Sequence, residues 1–291
     1  MELTPDLKKS ISYSQISLFN SCPTQYYYKY IMKDQRPQNV YPGGLFGSAC
    51  HLALEDSLIM QNDGVQLNII ENEFKESFAK YFKKAKSEIR DKDEFKESKE
   101  YRLHKKEFEK SGDKAIINII QFMNKYIKTF DNIYPEKKYT TSWNENLNCT
   151  GVIDVKIESE GKVYILDLKI TGDSTKYWWT NWNTDIQSLM YDFLIYSDHK
   201  VVPESFGYLV YDRNLKMLFL KERNIKPNTL ETVTAKLNKF IHKIEDFQIN
   251  HTEELAISMA IPEKSQCNWC SYKCPNKYQE EIVKKARGIK K

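Results

Sequence analysis

Two aspartates and a lysine lie where two strand-like segments meet a short polar turn. Asp154 precedes Glu160-Gly161 by as many residues as Asp167 follows it, and Lys169 comes two places later. If Glu160-Gly161 is the turn of a β-hairpin, Asp154 and Asp167 face each other. Side chains two apart on a strand share a face, so Lys169 joins them. Two carboxylates and an ammonium on one sheet face suit a divalent cation beside a phosphate.

The strand that carries Asp167 has the pattern of a buried strand. From Val163 to Ile170, apolar residues occupy both alternating sets of positions, which is typical of a strand covered on both faces. A carboxylate there is costly unless a metal or a partner charge compensates it. The alternative is the solvated face of an amphipathic strand, since D-x-K alone is a common pattern.

Two further polar pairs have helical spacing. His51 and Glu55 are four residues apart and so share a helix face, where imidazole can bind a metal and the carboxylate can orient it. Gln187 and Tyr191 share a face in the same way and can hydrogen-bond to a water or a phosphate. The alternatives are plain surface charge for the first pair and the polar edge of a half-buried helix for the second.

The six cysteines are unevenly distributed. Cys267, Cys270 and Cys274 lie within eight residues, a spacing that in an intracellular chain favours a metal over disulfides. Three thiolates leave one ligand missing, and Cys22, at an expected helix start near the other terminus, is the predicted fourth. Cys50 and Cys149 remain as the other cysteines, and the alternative is a group of three without a metal.

Composition limits the classes of protein. The chain has 291 residues, 41% of them hydrophobic and 29% charged, as in a folded, soluble protein. It has no run of 18 apolar residues, and its start lacks the pattern of a secretory signal, so a cytoplasmic protein is expected. The net charge of +4 permits nucleic-acid binding without requiring it. The basic tail, residues 284–291, favours phosphate contacts weakly, and a solubilising terminus is the alternative.

The order of the expected elements favours a mixed α/β fold. Short helices are predicted around residues 12–31 and a longer one over 47–60, followed by a Lys- and Glu-rich helical insertion. Strand patterns run from 138 to 170, and a helix is expected over 182–197. A second hairpin, over 205–212 and 216–222, and a helix over 228–247 complete the chain.

An aromatic cluster follows the D-x-K segment at once. Tyr177, Trp178, Trp179 and Trp182 lie within six residues. Exposed rings can stack on unpaired bases, and packing in the core or in a loop is the alternative.

Taken together, these motifs resemble the PD-(D/E)XK nuclease superfamily, and most closely the RecB-like exonucleases. That group includes AddB-type and CRISPR-associated enzymes with a four-cysteine iron–sulfur cluster. The resemblance follows the family order: G-x-x-x-H-x-x-L-E at 47–55, G-x-I-D at 151–154, D-x-K at 167–169, Q-x-x-x-Y at 187–191, then the terminal cysteines. It implies a restriction-endonuclease-like core, that is, a mixed central sheet flanked by helices.

The resemblance also implies residue roles. His51, Asp154, Asp167 and a backbone carbonyl near Leu168 would bind Mg²⁺ or Mn²⁺. Lys169 would position or activate the attacking water and stabilise charge on the phosphate, while Gln187 and Tyr191 would orient the metal site and the DNA. Glu136 is a further candidate acid. Cys22, Cys267, Cys270 and Cys274 would hold a 4Fe-4S cluster, with zinc as the alternative because the last cysteine spacing is shorter than the family's.

The resulting expectation is a divalent-metal-dependent DNA nuclease, in particular an exonuclease of recombination, repair or phage and mobile-element DNA processing. A single nuclease domain is expected over 1–291, with a helical insertion at 62–132 and a cysteine segment at 261–278. DNA, single-stranded or with free ends, is the expected partner, and a helicase or recombinase would be a compatible protein partner. The alternatives are a non-catalytic DNA-binding or assembly subunit and a structural zinc module, which leaves the aspartates unexplained.

Overall fold

The computed structural model describes residues 9–33, 42–65, 132–223 and 229–260, together with residues 72, 76, 80, 118, 119, 121, 122, 125 and 130. The chain divides into two compact units. The first comprises Met1–Asn39, Ser142–Thr150 and Thr234–Lys291, and the second comprises Val40–Thr141 and Gly151–Val233. No helix among the described residues is long and apolar enough to cross a bilayer.

The first unit begins with a short strand and a capped helix. Strand β1, Lys9–Ile11, pairs in parallel with the start of β3, Leu147–Ser159. Helix α1, Tyr13–Ser21, starts at Ser12, whose side chain accepts a hydrogen bond from the Gln15 N–H while the Gln15 side chain accepts one from the Ser12 N–H. This reciprocal capping explains why the helix starts where the sequence predicts. Helix α2, Pro23–Tyr26, continues directly into a π-helix, Tyr27–Ile31.

Two C-terminal helices pack against this N-terminal segment within the first unit. The second half of the chain supplies α6, Leu230–Asn250, and α7, Glu253–Met259. The Tyr26 hydroxyl accepts a hydrogen bond of 2.7 Å from Gln248, and the Thr24 hydroxyl donates one of 3.0 Å to the Ala256 carbonyl. The rings of Phe19 and Phe247 lie 5.2 Å apart. The two ends of the described chain are therefore joined by buried contacts.

The second unit is built on a mixed sheet. Strand β2, Asn132–Ser142, pairs with β3, and β3 pairs antiparallel with β4, Lys162–Thr171. Strand β4 pairs in parallel with β5, Ser205–Asp212, and β5 pairs antiparallel with β6, Met217–Glu222. Among the described residues, the helices with defined bounds that accompany these strands are α3, Pro42–Asn62, α4, Thr175–Trp178, and α5, Ile186–His199. The predicted fold class, a mixed central sheet flanked by helices, is confirmed.

Helix α3 covers one face of this sheet through an apolar cluster. Phe46, Ala53 and Leu58 on the helix are fully buried, and the cluster also contains Val155 of β3 and Leu209 of β5. These strand residues have the opposite alternation from Asp154 and Asp167. The strands thus bury aliphatic side chains under α3 and leave the aspartates to the other set of positions.

Several boundaries differ from the predicted ones. Helix α3 begins five residues earlier than expected, at Pro42, and β1 and α7 were not anticipated. Helix α5 starts at Ile186 rather than at Trp182, because the Asp185 side chain caps it by accepting the Ser188 N–H. Most of the predicted insertion, 62–132, and the cysteine segment, 261–278, lie outside the described residues, so the domain boundaries stay a prediction.

A buried ion pair ties α5 to the end of β6. The Arg223 guanidinium donates to both Asp192 oxygens, at 2.6 and 3.0 Å, and both side chains are only 1% exposed. Burial raises the pKa of Asp192, and Arg223 opposes that shift. Neither charge has access to bulk water, so each depends on the other.

We expect Arg223→Met to lower the free energy of unfolding by about 3 kcal/mol, because it leaves the Asp192 carboxyl buried without its partner. Urea denaturation followed by circular dichroism measures this. Lys162→Met is the matched control, since Lys162 and Glu204 form an exposed pair at 3.8 Å, and its loss should change stability by less than about 1 kcal/mol. Equal losses in the two variants would contradict the importance of the buried pair.

Candidate metal centre

The β3–β4 hairpin has the register that places Asp154 beside Asp167. Pairing runs from Ser159↔Lys162 next to the turn up to Val155↔Leu166, immediately before the aspartates. The turn residues Glu160 and Gly161 both have positive φ, 51° and 74°, as a two-residue hairpin turn of the primed type requires. The Leu168 N–H donates a 2.8 Å hydrogen bond to Asp154 Oδ2, which holds that carboxylate across the strand pair.

The side chains of His51, Glu136 and Asp154, which come from three different elements, lie close together. His51 Nδ1 of α3 lies 3.2 Å from Asp154 Oδ2 and 3.7 Å from Glu136 Oε1 of β2. One ligand atom from each of these residues lies within 4.8 Å of the others. An imidazole nitrogen and two carboxylate oxygens at such distances form a donor set suited to a divalent cation.

The backbone at Glu136 helps to bring its carboxylate into this group. Glu136 lies inside β2 with φ of 45°, in the left-handed region that residues other than glycine rarely adopt. Such a conformation costs about 1–3 kcal/mol and persists only where surrounding contacts determine it. The strained position coincides with the convergence of His51 and Asp154, which is where a functional constraint would explain it.

Asp167 is held by a different set of partners. Lys169 Nζ lies 2.5 Å from Asp167 Oδ2, and the Gln187 side-chain amide donates a 2.5 Å hydrogen bond to Asp167 Oδ1. The same amide donates to the Tyr191 hydroxyl at 3.2 Å, and that hydroxyl donates to the Val152 carbonyl at 2.6 Å. Gln187 and Tyr191 are therefore buried and bonded to the hairpin, and the alternative of a polar, half-exposed helix edge is excluded.

Negative and positive charges do not balance around Asp154, and the pKa values of the neighbouring groups are shifted as a result. Burial, the neighbouring Asp167 and, to a lesser extent, Glu136 raise the pKa of Asp154 to about 7, against the opposing effects of His51 and Lys169. Burial alone would lower the pKa of His51, but the hydrogen bond to Glu136 and the charges of Asp154 and Asp167 raise it. Burial likewise lowers the pKa of Lys169, and Asp167 and Asp154 more than reverse this effect. Lys169 is therefore an ammonium, and His51 is shifted towards its charged form.

The predicted site residues lie close together, in two neighbouring groups rather than in one. Asp154 and His51 lie in the donor group, whereas Asp167 lies next to it with both oxygens engaged by Lys169 and Gln187. Leu168 contributes its N–H to Asp154. Metal binding by the Leu168 carbonyl and by Asp167 stays a prediction. Glu55 is not part of the donor group. The pKa of its carboxyl is raised, mainly by burial and to a lesser extent by the charge of Glu136.

Of the predicted cluster cysteines, only Cys22 lies within the described residues. It occupies the N-cap of α2, is partly exposed, and its Sγ accepts a 3.4 Å hydrogen bond from the Gln25 N–H. Cys267, Cys270 and Cys274 lie outside the described part of the chain. Burial raises the pKa of Cys149 to about 12 and raises that of Cys50 further, so neither is disposed to be a metal-binding thiolate.

Tyr208, which the sequence did not single out, contacts both Lys169 and the start of the helix that carries Gln187. Lys169 Nζ lies 5.4 Å from the centre of the Tyr208 ring, over its face. The Tyr208 hydroxyl donates to Asp185 Oδ2 at 2.8 Å, at the cap of the helix that carries Gln187. Residue numbering indicates no relation between 169 and 208; only the parallel pairing of β4 with β5 brings them together.

The family model of the PD-(D/E)XK nuclease superfamily matches residues 10–274, and the chain belongs to that superfamily. Its members are generally nucleases, which supports a metal-dependent nuclease with a DNA substrate. The crystal structure of SSO0001 is similar over 88% of this chain and 95% of that one, with 12% identical residues and a TM-score of 0.34, a likeness too weak to argue from. No curated protein sequence matches the chain.

The donor chemistry fits the divalent metal that this superfamily uses. Asp154 is buried beside a second carboxylate, and its raised pKa shows how poorly the protein alone compensates its charge. A divalent cation held by His51, Glu136 and Asp154 would supply the missing positive charge and favour the ionised carboxylate.

We therefore expect the metal-free protein to lose stability as pH rises from about 4.5 to about 7.5. In the folded state the pKa of Asp154 is about 7, so the carboxyl keeps its proton until the pH approaches that value. In the unfolded chain the pKa of an aspartate is about 3.9. The folded state therefore binds more protons between these two pH values, and stability falls as pH rises through them. The loss attributable to Asp154 is on the order of 4 kcal/mol at most.

Urea denaturation in a chelator at several pH values measures this loss, with Asp154→Asn as the control. The variant has no proton to release and should show a flatter dependence. Saturating Mn²⁺ should also flatten the wild-type dependence, because the metal stabilises the ionised carboxylate. The same slope in Asp154→Asn as in the wild type would mean that another group is responsible.

Proposed function

We propose that this protein is a divalent-metal-dependent deoxyribonuclease of the RecB-like type that acts as an exonuclease in recombination, repair or the processing of phage and mobile-element DNA. The observation that carries the proposal is the convergence of His51, Glu136 and Asp154 next to Asp167 and Lys169. Superfamily membership over residues 10–274 supports the same chemistry.

Each residue has a role that its contacts support. His51, Glu136 and Asp154 hold Mg²⁺ or Mn²⁺, and Asp167 completes the acidic site while Gln187 and Tyr191 fix its orientation. A bound divalent cation supplies charge that polarises the scissile phosphate and acidifies an attacking water.

Lys169 contributes as a positive charge. Its raised pKa, caused by Asp167 and Asp154 against the effect of burial, makes it a poor proton acceptor in the metal-free protein. It can instead position a water by donating a hydrogen bond and offset negative charge that develops on the phosphate. A role as the base that removes a proton from water is less compatible with this environment.

We expect Asp154→Asn, Asp167→Asn and Lys169→Ala each to lower DNA cleavage at least about 100-fold, the loss typical of removing one preorganised electrostatic group. DNA binding should persist. End-labelled single- and double-stranded DNA, with and without Mg²⁺, provides the measurement, and labels on the 5′ and 3′ ends report the direction of cutting.

Lys162→Ala is the matched control, since Lys162 lies on the same strand as Lys169 at its other, exposed end. It should cleave at the wild-type rate. Wild-type cutting by Lys169→Ala would refute the assignment of that residue. Binding without any cleavage by the wild type would favour the alternative of a non-catalytic DNA-binding or assembly subunit.

We further propose that Cys22, Cys267, Cys270 and Cys274 hold a 4Fe-4S cluster, with zinc as the alternative metal. Helix α7 ends at Met259, eight residues before Cys267, and eight residues can span roughly 26 Å. The hydrogen bond from Thr24 to Ala256 holds the Cys22 segment against α7 in the first unit. The reach of the chain and the partial exposure of Cys22 are compatible with a site closed by all four thiolates.

We expect Cys22→Ser to lose the metal and to destabilise the protein as much as Cys270→Ser does, because metal binding contributes to the free energy of folding. Absorption near roughly 400 nm in anaerobically purified protein and metal analysis provide the measurement. Cys50→Ala and Cys149→Ala are the controls and should keep the metal. Stoichiometric zinc would replace iron–sulfur in the proposal, whereas full metal content in Cys22→Ser would refute the four-cysteine site.

A further inference from the structure

We propose that Trp179 is a base-stacking platform that makes the site selective for unpaired DNA. This inference rests on the proposed nuclease function and names a residue that determines which strands the site accepts. Trp179 is 85% exposed, more than any other large hydrophobic residue that the structure describes. It lies in the segment of residues 172–182, called here the platform loop, which contains the short helix α4 and begins three residues after Lys169.

The aromatic neighbours of Trp179 are packed, and Trp179 is not. Trp178 stacks on Phe219 of β6 with ring centres 4.4 Å apart and planes inclined by 17°. Trp182 stacks on Tyr208 at 5.4 Å and 23° and is only 6% exposed. Ring contacts therefore account for the two flanking tryptophans, although Trp178 is still 45% exposed, but not for Trp179, whose ring faces water.

The platform loop is fixed to the residues that flank the metal centre. Tyr177 and Trp182, on either side of Trp179, both contact the Tyr208 ring, with centres 5.4 Å away in each case. Lys169 Nζ lies over the same ring at 5.4 Å. One tyrosine thus couples the position of the ammonium that would contact the phosphate to the loop that presents Trp179.

Hydrogen bonds between the ends of two parallel strands also hold the loop in place. The Arg213 N–H donates to the Thr171 carbonyl at 2.8 Å, and the Asn214 side chain donates to the Gly172 carbonyl at 2.5 Å. The Ser174 N–H donates to the buried Asp212 carboxylate at 3.0 Å. A loop restrained in this way loses little conformational freedom when a base stacks on it, which favours binding.

The charges of the platform loop and of the adjoining β5–β6 turn favour a polyanion. Lys176 and Lys216 are exposed and Arg213 is partly exposed, and all three lie on the platform loop or on the adjoining β5–β6 turn. Asp173 is the exposed acid of the platform loop, and its carboxylate accepts from Thr175. Cations on the segment that presents an exposed aromatic ring are a combination with which proteins hold single strands: phosphates meet the charges and a base meets the ring.

The test compares binding of a fluorescein-labelled oligothymidylate, an abasic strand of the same length and a duplex, with Ca²⁺ replacing Mg²⁺ so that cleavage does not intervene. Trp179→Ala should weaken oligothymidylate binding about 5- to 150-fold, the range for loss of one stacked base. It should leave abasic-strand and duplex binding unchanged, and Trp179→Phe should restore most of the affinity. Ile249→Ala, which removes an apolar residue that is 74% exposed on α6, is the matched control and should bind like the wild type.

The outcomes separate this inference from the proposed function. If the wild type neither binds nor cuts DNA, the proposed function fails. If the wild type binds DNA but Trp179→Ala weakens all three probes equally, or none of them, the platform is refuted and the nuclease assignment stands. If the wild type is a dimer by light scattering and Trp179→Ala is a monomer with unchanged DNA binding, the surface belongs to a second copy of the chain and the platform is likewise refuted.

Discussion

The second unit is organised around the repulsion between two neighbouring carboxylates. The hairpin places Asp154 next to Asp167, and both are largely withdrawn from water. Like charges so close in a medium of low dielectric constant raise the free energy of the ionised state. The surrounding groups reduce this cost: Lys169 and Gln187 bind Asp167, while the Leu168 N–H and His51 lie against Asp154.

This compensation depends on elements that are distant in sequence. Helix α3 supplies His51, and the apolar contacts of Phe46, Ala53 and Leu58 with the sheet set its position. Helix α5 supplies Gln187, and its place is fixed by the Asp185 cap and the Asp192–Arg223 pair. The aliphatic core and the buried ion pair therefore act on the site indirectly, because a shift of either helix would withdraw a partner from an aspartate.

The parts of this arrangement that are local in sequence could be predicted, and the rest could not. The hairpin register follows from the Glu160-Gly161 turn, because a two-residue turn leaves one register for the flanking strands. The i,i+4 relation of Gln187 and Tyr191 is likewise local, and their hydrogen bond realises it. Glu136 was named only through the resemblance, since its carboxylate reaches His51 through a left-handed backbone conformation that no pattern of residue types encodes.

The burial of a charged side chain does not by itself identify a functional residue in this protein. Lys156 lies two residues after Asp154 on the same face of β3 and its side chain is only 1% exposed, yet it pairs with Glu158 at 2.5 Å and lies 4.1 Å from the Tyr134 ring centre. The alternation of side chains along β3 places Lys156 and Asp154 in equivalent positions. Only the partners distinguish them, one charge being compensated within the strand and the other not.

The degree of compensation is what separates a structural ion pair from a site prepared for a ligand. Glu158 lies beside two basic groups, Lys156 and His199, and its hydrogen bond with Lys156 lowers its pKa despite burial. Asp154 has the opposite balance: burial and Asp167 raise its pKa to about 7 in spite of His51 and Lys169. A divalent cation would reverse that balance, so part of its binding free energy would go into ionising Asp154 and relieving the repulsion. The metal-free fold is thus destabilised at the place where the chemistry is proposed to occur.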